Sequence, residues 1–483
     1  MTTTFEGFTS IRSAMARLDL SPRVEPNERI DEARAFFPAG HRGVLDIRRQ
    51  LVVGNRGMGK SFWTHALTND ELRTRLAGVY GHVALAKANV RIGFNGSDRQ
   101  NQFTPTRDEV AEARARAANA DQIWRAVLVR IAKAELGEGG PSDLSEVIHH
   151  VETDASLYSA TLTRLDDKLS TEGRSLLVVF DALERLGRTP DDIHALTGAL
   201  LRLALGLQSF RSIRAKLFMR VDQYSDQTLF RFPDSSKIRN DHVSLVWHPT
   251  ELYGLLLFEI LRDSLGGEAL RALATGLGAE AALPLDGRDS RAQPSVQASL
   301  VHAFAGEFMG GSQKRGRVHS WVPLHLSDAA NTCSPRSFIS AWHNAAEHLP
   351  APSGRAVDHL GLIDGVRLAS RGRLHELYED YAWIQPSLEA LRGRFVPMTR
   401  EQLFEAWNEG NVIPKIRAVA AEGVSKMLAS LSDSDELGTL LDAMKHVAVI
   451  EERSNGKINV PDIFRVEAGI LRKGGVAVPK RLH

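Results

Sequence analysis

One stretch constrains the fold more than any other. Leu51-Val-Val-Gly-Asn-Arg-Gly-Met-Gly-Lys-Ser61 satisfies the pattern G-x-x-x-x-G-K-[ST] from Gly54 to Ser61 without a gap. The apolar run Leu51 to Val53 has the length of a short buried parallel strand, and the residues after Ser61 can open a helix. The pattern therefore lies in the strand–loop–helix setting that a phosphate-binding loop requires. Gly54, Gly57 and Gly59 permit a tight, partly left-handed backbone, which turns successive N–H groups into one concavity that a polyphosphate can fill. Lys60 would reach the terminal phosphates and Ser61 would bring its hydroxyl to Mg²⁺, while the positive end of the following helix adds a fixed favourable field. Asn55, Arg56, Met58 and Phe62 complete the expected ATP-contacting set.

Length and composition narrow the remainder. A chain of 483 residues exceeds what a single core usually supports, so two or more domains are expected. Sixty basic against 59 acidic residues leave a net charge of +1, which provides no global field for nucleic acid or an anionic membrane. A single cysteine, Cys333, excludes an internal disulfide and any multi-thiolate metal site, and fits a reducing cytoplasm. The apolar runs Leu196 to Leu207 and Leu252 to Leu261 fall short of the ~20 residues a bilayer span needs, so no membrane partner is expected. The N-terminus carries Glu6, Arg12, Arg17 and Asp19 with no continuous apolar core, unlike a secretory signal.

A second motif follows at Ser175-Leu-Leu-Val-Val-Phe-Asp-Ala-Leu-Glu-Arg185, an apolar strand that ends in Asp181. A carboxylate at the C-terminal end of a buried strand beside the loop can hold Mg²⁺, so Ser61 and Asp181 are the expected metal ligands. Glu184 could polarise an attacking water; the alternative is a solvated residue on the next turn. A further strand, Ala215 to Asp222, places Arg220 at its polar end, either as a sensor of the terminal phosphate or as the ion-pair partner of Asp222. Ser334-Pro-Arg-Ser-Phe reads as a helix start, with Pro335 in the first turn and Arg336 projecting from it toward a nucleotide or simply toward solvent.

In chain order, helices are expected over Ser10 to Leu18, Asn27 to Phe37, Phe62 to Leu76, Tyr158 to Leu169, Asp191 to Phe210 and Pro249 to Leu265. Strands are expected at Val83 to Ile92 and His242 to Trp247. Residues 266 to 295 shift to alanine, glycine and charge and read as a mobile insertion. Helices then dominate, with Thr399 and Gln402 as a capping box, until Asn455-Gly456 signals a hairpin between Val447 to Glu452 and Lys457 to Val460. The fold class expected is α/β: a P-loop NTPase five-stranded parallel sheet with a helical lid, then a mostly helical C-terminal region ending in a winged helix. The corresponding domains are 1–265, 266–350, 351–433 and 434–483.

GNRGMGKS, LLVVFDALER, KLFMR and SPRSF together resemble the bacterial STAND-type P-loop ATPases, relatives of the AAA+ and NACHT proteins, over roughly residues 40 to 345. The resemblance implies a slow ATPase with ATP and Mg²⁺ as cofactors. Lys60 and Ser61 would lie on phosphate and metal, Asp181 on the metal, Glu184 in hydrolysis, and Arg220 and Arg336 as first and second sensors. It also implies partner proteins that carry the effector output, in a setting such as bacterial defence, with a homo-oligomer compatible. The sequence departs from such proteins in its long interval between Lys60 and Asp181 and in lacking an effector domain or repeat array. The alternative function is a DNA-associated AAA+ ATPase using the winged helix. DNA is not favoured, because Glu436 to His483 balances eight basic against six acidic residues.

Overall fold

The computed structural model describes residues 5–19, 35–99, 103–116, 119–138, 143–284, 293–421 and 435–472. The chain forms two compact units. One comprises residues 24–32 and 40–245, and the other residues 1–23, 33–39 and 246–483.

The first unit is built on a five-stranded sheet of β1 (Leu51–Val53), β2 (Ala88–Phe94), β3 (Ser175–Phe180), β4 (Ile213–Met219) and β5 (Val243–Ser244). Its order is β2-β3-β4-β1-β5 and every pairing is parallel, as Val52↔Phe218, Val52↔Val243, Val178↔Ala215 and Ile92↔Val179 show. Parallel strands need both faces covered, and the near-continuous apolar sequences of β1, β3 and β4 are accordingly buried. Trp124, on the helix Ala120–Leu136, wedges edge-on against Phe94 and Phe180 at ring separations of 6.1 and 5.6 Å, and its indole N–H donates to Leu196 O at 2.9 Å. That one side chain joins β2, β3 and the helix Pro190–Gly206 in a single core.

Within β4, Lys216 is a charged residue that is fully buried. Its ammonium donates to Asp46 O at 2.9 Å and Arg49 O at 2.6 Å, which ties the segment leading into β1 against β4. Burial pushes this amine down to about 7. The hydrogen bond from Leu217 N to Gln50 O, at 2.7 Å, continues the same attachment.

Three local expectations are corrected. The strand expected over Val83 to Ile92 begins at Ala88, because Val83–Ala86 closes a helical turn and only from Ala88 onward does the chain register against Ser175 and its successors. The helix expected from Phe62 to Leu76 is two helices, Lys60–Thr68 and Asp70–Tyr80. Asn69 leaves helical conformation between them, and its side chain accepts from Leu72 N at 3.0 Å, capping the second. The region expected to be a mobile insertion holds the helix Ser264–Leu277, capped by Asp263 and ended by Gly278 in the left-handed region. Gly266 serves packing. A Cβ on Gly266 would come within 2.4 Å of Ala14 Cβ, so the small residue lets this helix cross the helix Phe8–Ala16 closely. Residues 285–292 of that expectation, and most of the helix expected from Asn27, lie outside the described residues.

The second unit is mostly helical. Tyr253 packs against Phe338 and Trp342 at ring separations of 5.0 and 5.9 Å, uniting the helices Pro249–Arg262 and Pro335–Glu347. Toward the C-terminus the Thr399 capping box forms as expected, with Gln402 N donating to Thr399 Oγ1 at 3.3 Å and Thr399 N donating to Gln402 Oε1 at 2.9 Å. The hairpin also forms. β7 (Glu451–Glu452) pairs antiparallel with β8 (Ile458–Asn459), and the turn places Gly456 at φ 73. Met398 bridges to Ile458, while β6 (Phe395–Val396) pairs with β9 (Leu471–Arg472). Among the described residues no helix is long and apolar enough to cross a membrane.

Candidate functional site

The glycine-rich loop leaves β1 and turns into the helix Lys60–Thr68. Gly57 and Gly59 have φ of 83 and 102, so the two sharpest bends of the loop use backbone that a side chain would strain. The first N–H groups of a helix have no partner within it, so a helix that starts straight from a glycine-rich loop offers donors to an anion there. Lys60 folds back over this loop, its ammonium donating to Gly54 O at 2.8 Å and Asn55 O at 3.2 Å. Desolvation lowers its affinity for the proton, opposed by the charges of Glu184 and Asp181. An anion in the loop would supply the compensation that two carbonyls give only in part, and this is the sense in which the residues fit a bound phosphate.

Sheet order brings the second motif close. Gly54 N donates to Met219 O at 3.0 Å, so the loop starts beside the end of β4; β3 is the next strand over. Asp181 follows β3 and is buried. Its Oδ1 accepts from Ala182 N at 2.8 Å and its Oδ2 from Thr64 Oγ1 at 3.1 Å. Ala182 adopts φ 55, a left-handed bend that aims this N–H back at the carboxylate. Desolvation raises the Asp181 carboxyl above the ordinary carboxylate range, opposed by the Ala182 N–H and by Lys60.

Glu184 lies exposed on the 3₁₀ turn Leu183–Arg185, close enough to act electrostatically on both Lys60 and Asp181. Arg220, just after β4, is largely buried; its Nε is 3.4 Å from Asp222 Oδ1, and both charges act on Lys60. Of the two readings of Arg220 taken from the sequence, phosphate sensor or partner of Asp222, the ion pair with Asp222 is present. Ser61 is exposed at the start of its helix. Thr64, one turn later on the same face, makes the contact to Asp181. Arg336 belongs to the other unit, where its guanidinium meets Glu376 Oε1 at 2.6 Å.

The sequence reading passed over Thr64. The available signal was a hydroxyl three residues beyond Ser61, on the face of the helix that the loop motif already turns toward the strand ends. Among the described residues no three His, Cys, Asp or Glu side chains converge. A Mg²⁺ ion, which keeps several waters and takes one or two carboxylates beside phosphate oxygens, needs no such cluster.

No protein-family model matches the chain, and no curated protein matches it. Solved structures are similar at low identity. The Aeropyrum pernix ORC2 protein in its ADPNP–ADP complexes is 14% identical, over 92% of this chain and 93% of that one, with a TM-score of 0.37. The Aeropyrum pernix ORC1 protein in complex with DNA is 12% identical over 93% of each chain, with a TM-score of 0.32. Cdc6p from Pyrobaculum aerophilum is 12% identical over 93% of each chain, with a TM-score of 0.29. At these values neither activity nor partner passes to this chain, and its site is defined by its own residues.

Proposed function

We propose that this chain is an ATP-binding and slowly ATP-hydrolysing switch of the STAND or AAA+ kind that acts through partner proteins. The observation that supports it best is the convergence of the loop lysine, the buried Asp181, Glu184 and Arg220 at the ends of β1, β3 and β4. ATP with Mg²⁺, when bound, supplies the phosphoanhydride bond to be broken. Lys60 would hold the terminal phosphates by charge-assisted bonds, Ser61 and Asp181 would hold the metal, Glu184 would polarise a water, and Arg220 would sense the terminal phosphate. A bacterial defence setting rests on the family resemblance alone.

Arg336 is proposed as the residue that distinguishes triphosphate from diphosphate. Its present partner costs little to leave, because exposed ion pairs are worth about 0–1 kcal/mol and the Arg336 side chain is 41% exposed. Arg336→Ala is therefore expected to bind ATP and ADP with nearly equal affinity. Calorimetry that finds the wild-type preference for ATP intact in the mutant would return Arg336 to an ordinary surface arginine.

The C-terminal region is proposed as a winged helix used for protein contact. The hairpin of Glu451–Glu452 and Ile458–Asn459, with Met398 bridged to Ile458 and helices before it, supports that reading. The two glutamates of the hairpin are held within the region. Glu452 Oε2 is 2.5 Å from Lys445 Nζ, and Glu451 Oε1 accepts from Asn459 Nδ2 at 2.5 Å with Arg453 Nε at 3.5 Å, so the hairpin presents mixed charge and no basic stripe. Size-exclusion with light scattering in Mg²⁺ and ATP, with and without duplex DNA, is expected to show no co-elution with the duplex. A stable complex at physiological salt would overturn the protein-contact reading in favour of the DNA-associated one.

A further inference from the structure

The proposed site names a metal ligand, Asp181, but leaves open what aims its carboxylate, and Thr64 bears on that. Asp181 is buried, so each of its oxygens needs partners from the protein if it is to remain charged in one orientation. The two oxygens are served by different elements. Oδ1 takes the Ala182 N–H at 2.8 Å, from its own chain, and Oδ2 takes the Thr64 hydroxyl at 3.1 Å, from the loop helix. A carboxylate has about four lone-pair directions. One bond on each oxygen fixes the plane of the group and leaves a second direction on each for a metal or its waters. Thr64 is itself buried and shares a helical face with Ser61 one turn earlier, so a single rigid helix carries both the hydroxyl expected at the metal and the hydroxyl that orients the carboxylate.

We infer that Thr64 is a positioning residue that sets the Asp181 carboxylate for the divalent cation, thereby coupling the phosphate loop to the end of β3. The inference rests on the nucleotide-binding reading above and assigns Thr64 no contact with the nucleotide itself. Removing a partner of this outer kind typically weakens metal affinity by ~10–100-fold while sparing contacts it does not support.

The test uses the full chain and three forms: wild type, Thr64→Val, which keeps the shape and removes the hydroxyl, and Thr64→Ser, which restores it. Calorimetry measures ATP binding with EDTA present, and a Mn²⁺ titration followed by electron paramagnetic resonance measures cation affinity in the presence of ATP. Metal-free ATP affinity in Thr64→Val is expected within about twofold of wild type, Mn²⁺ affinity lower by ~10–100-fold, and Thr64→Ser near wild type on both. Unchanged Mn²⁺ affinity in Thr64→Val overturns the inference. So does a parallel loss of metal-free ATP binding, or a loss of structure by circular dichroism in Thr64→Val that Thr64→Ser does not share, because either makes Thr64 a support of the loop and not of the carboxylate. Wild type that binds no ATP with or without metal overturns the nucleotide reading itself, an outcome separate from those three.

Discussion

Replacing Lys60 by alanine is expected to weaken ATP binding by about 100-fold or more while leaving the fold intact. The magnitude follows from what the ammonium gives up and gains. In the protein alone it is desolvated and rests on the carbonyls of Gly54 and Asn55. A triphosphate replaces those neutral partners by anionic oxygens, and charge-assisted hydrogen bonds are worth roughly 1.5–3 kcal/mol each. Two of them reach ~3 kcal/mol or more, and every 1.4 kcal/mol is a factor of about ten in affinity. The fold should survive because Trp63, Ala66 and Leu67, all buried, anchor the same helix in the core. Calorimetry on the two proteins decides the matter. Equal affinities would mean that the loop does not hold the phosphates.

Glu184→Gln is expected to retain ATP and slow its hydrolysis by ~10²-fold or more, the scale of a lost general base. Amide and carboxylate are nearly the same size, so the change removes charge and basicity but not volume. Two features of the structure favour Glu184 over its neighbours for this role. It is exposed, whereas Asp181 is buried and already carries bonds from Thr64 and Ala182. It also acts electrostatically on the Lys60 ammonium, the group expected to meet the terminal phosphates. Steady-state phosphate release, measured beside ATP affinity, separates the outcomes. Unchanged turnover would place the base elsewhere.

The parts of this site that were legible in the sequence are those carried by contiguous pattern. Gly54 to Ser61 fixes a strand, a loop and a helix start within a few residues, and the apolar run before Asp181 can hardly be anything but a buried strand. Strand order was not legible. It places β4 between β1 and β3, and it depends on pairings between distant segments, among them the Lys216 ammonium on the carbonyls of Asp46 and Arg49. No local period encodes such a contact. The helix Ser264–Leu277 was missed for the opposite reason: its glycines weaken the periodic signal, although packing against Ala14 is what requires one of them to be small. Thr64 escaped notice because a threonine in a helix has no signature until its partner, 117 residues away, is placed beside it.

The central claim, that the loop and the residues at the ends of β3 and β4 form a site for ATP with Mg²⁺, is tested most directly by the melting temperature of the full chain across a series of Mg²⁺–ATP concentrations. A ligand held only by the folded protein stabilises it by RT ln(1 + [L]/Kd), about 2.7 kcal/mol at a hundred times Kd. The melting temperature of the wild type should therefore climb by several degrees with the logarithm of ATP concentration, and that of Lys60→Ala should stay flat over the same range. A wild type that melts at one temperature from no nucleotide to millimolar Mg²⁺–ATP, or a mutant that climbs with it, would contradict the account.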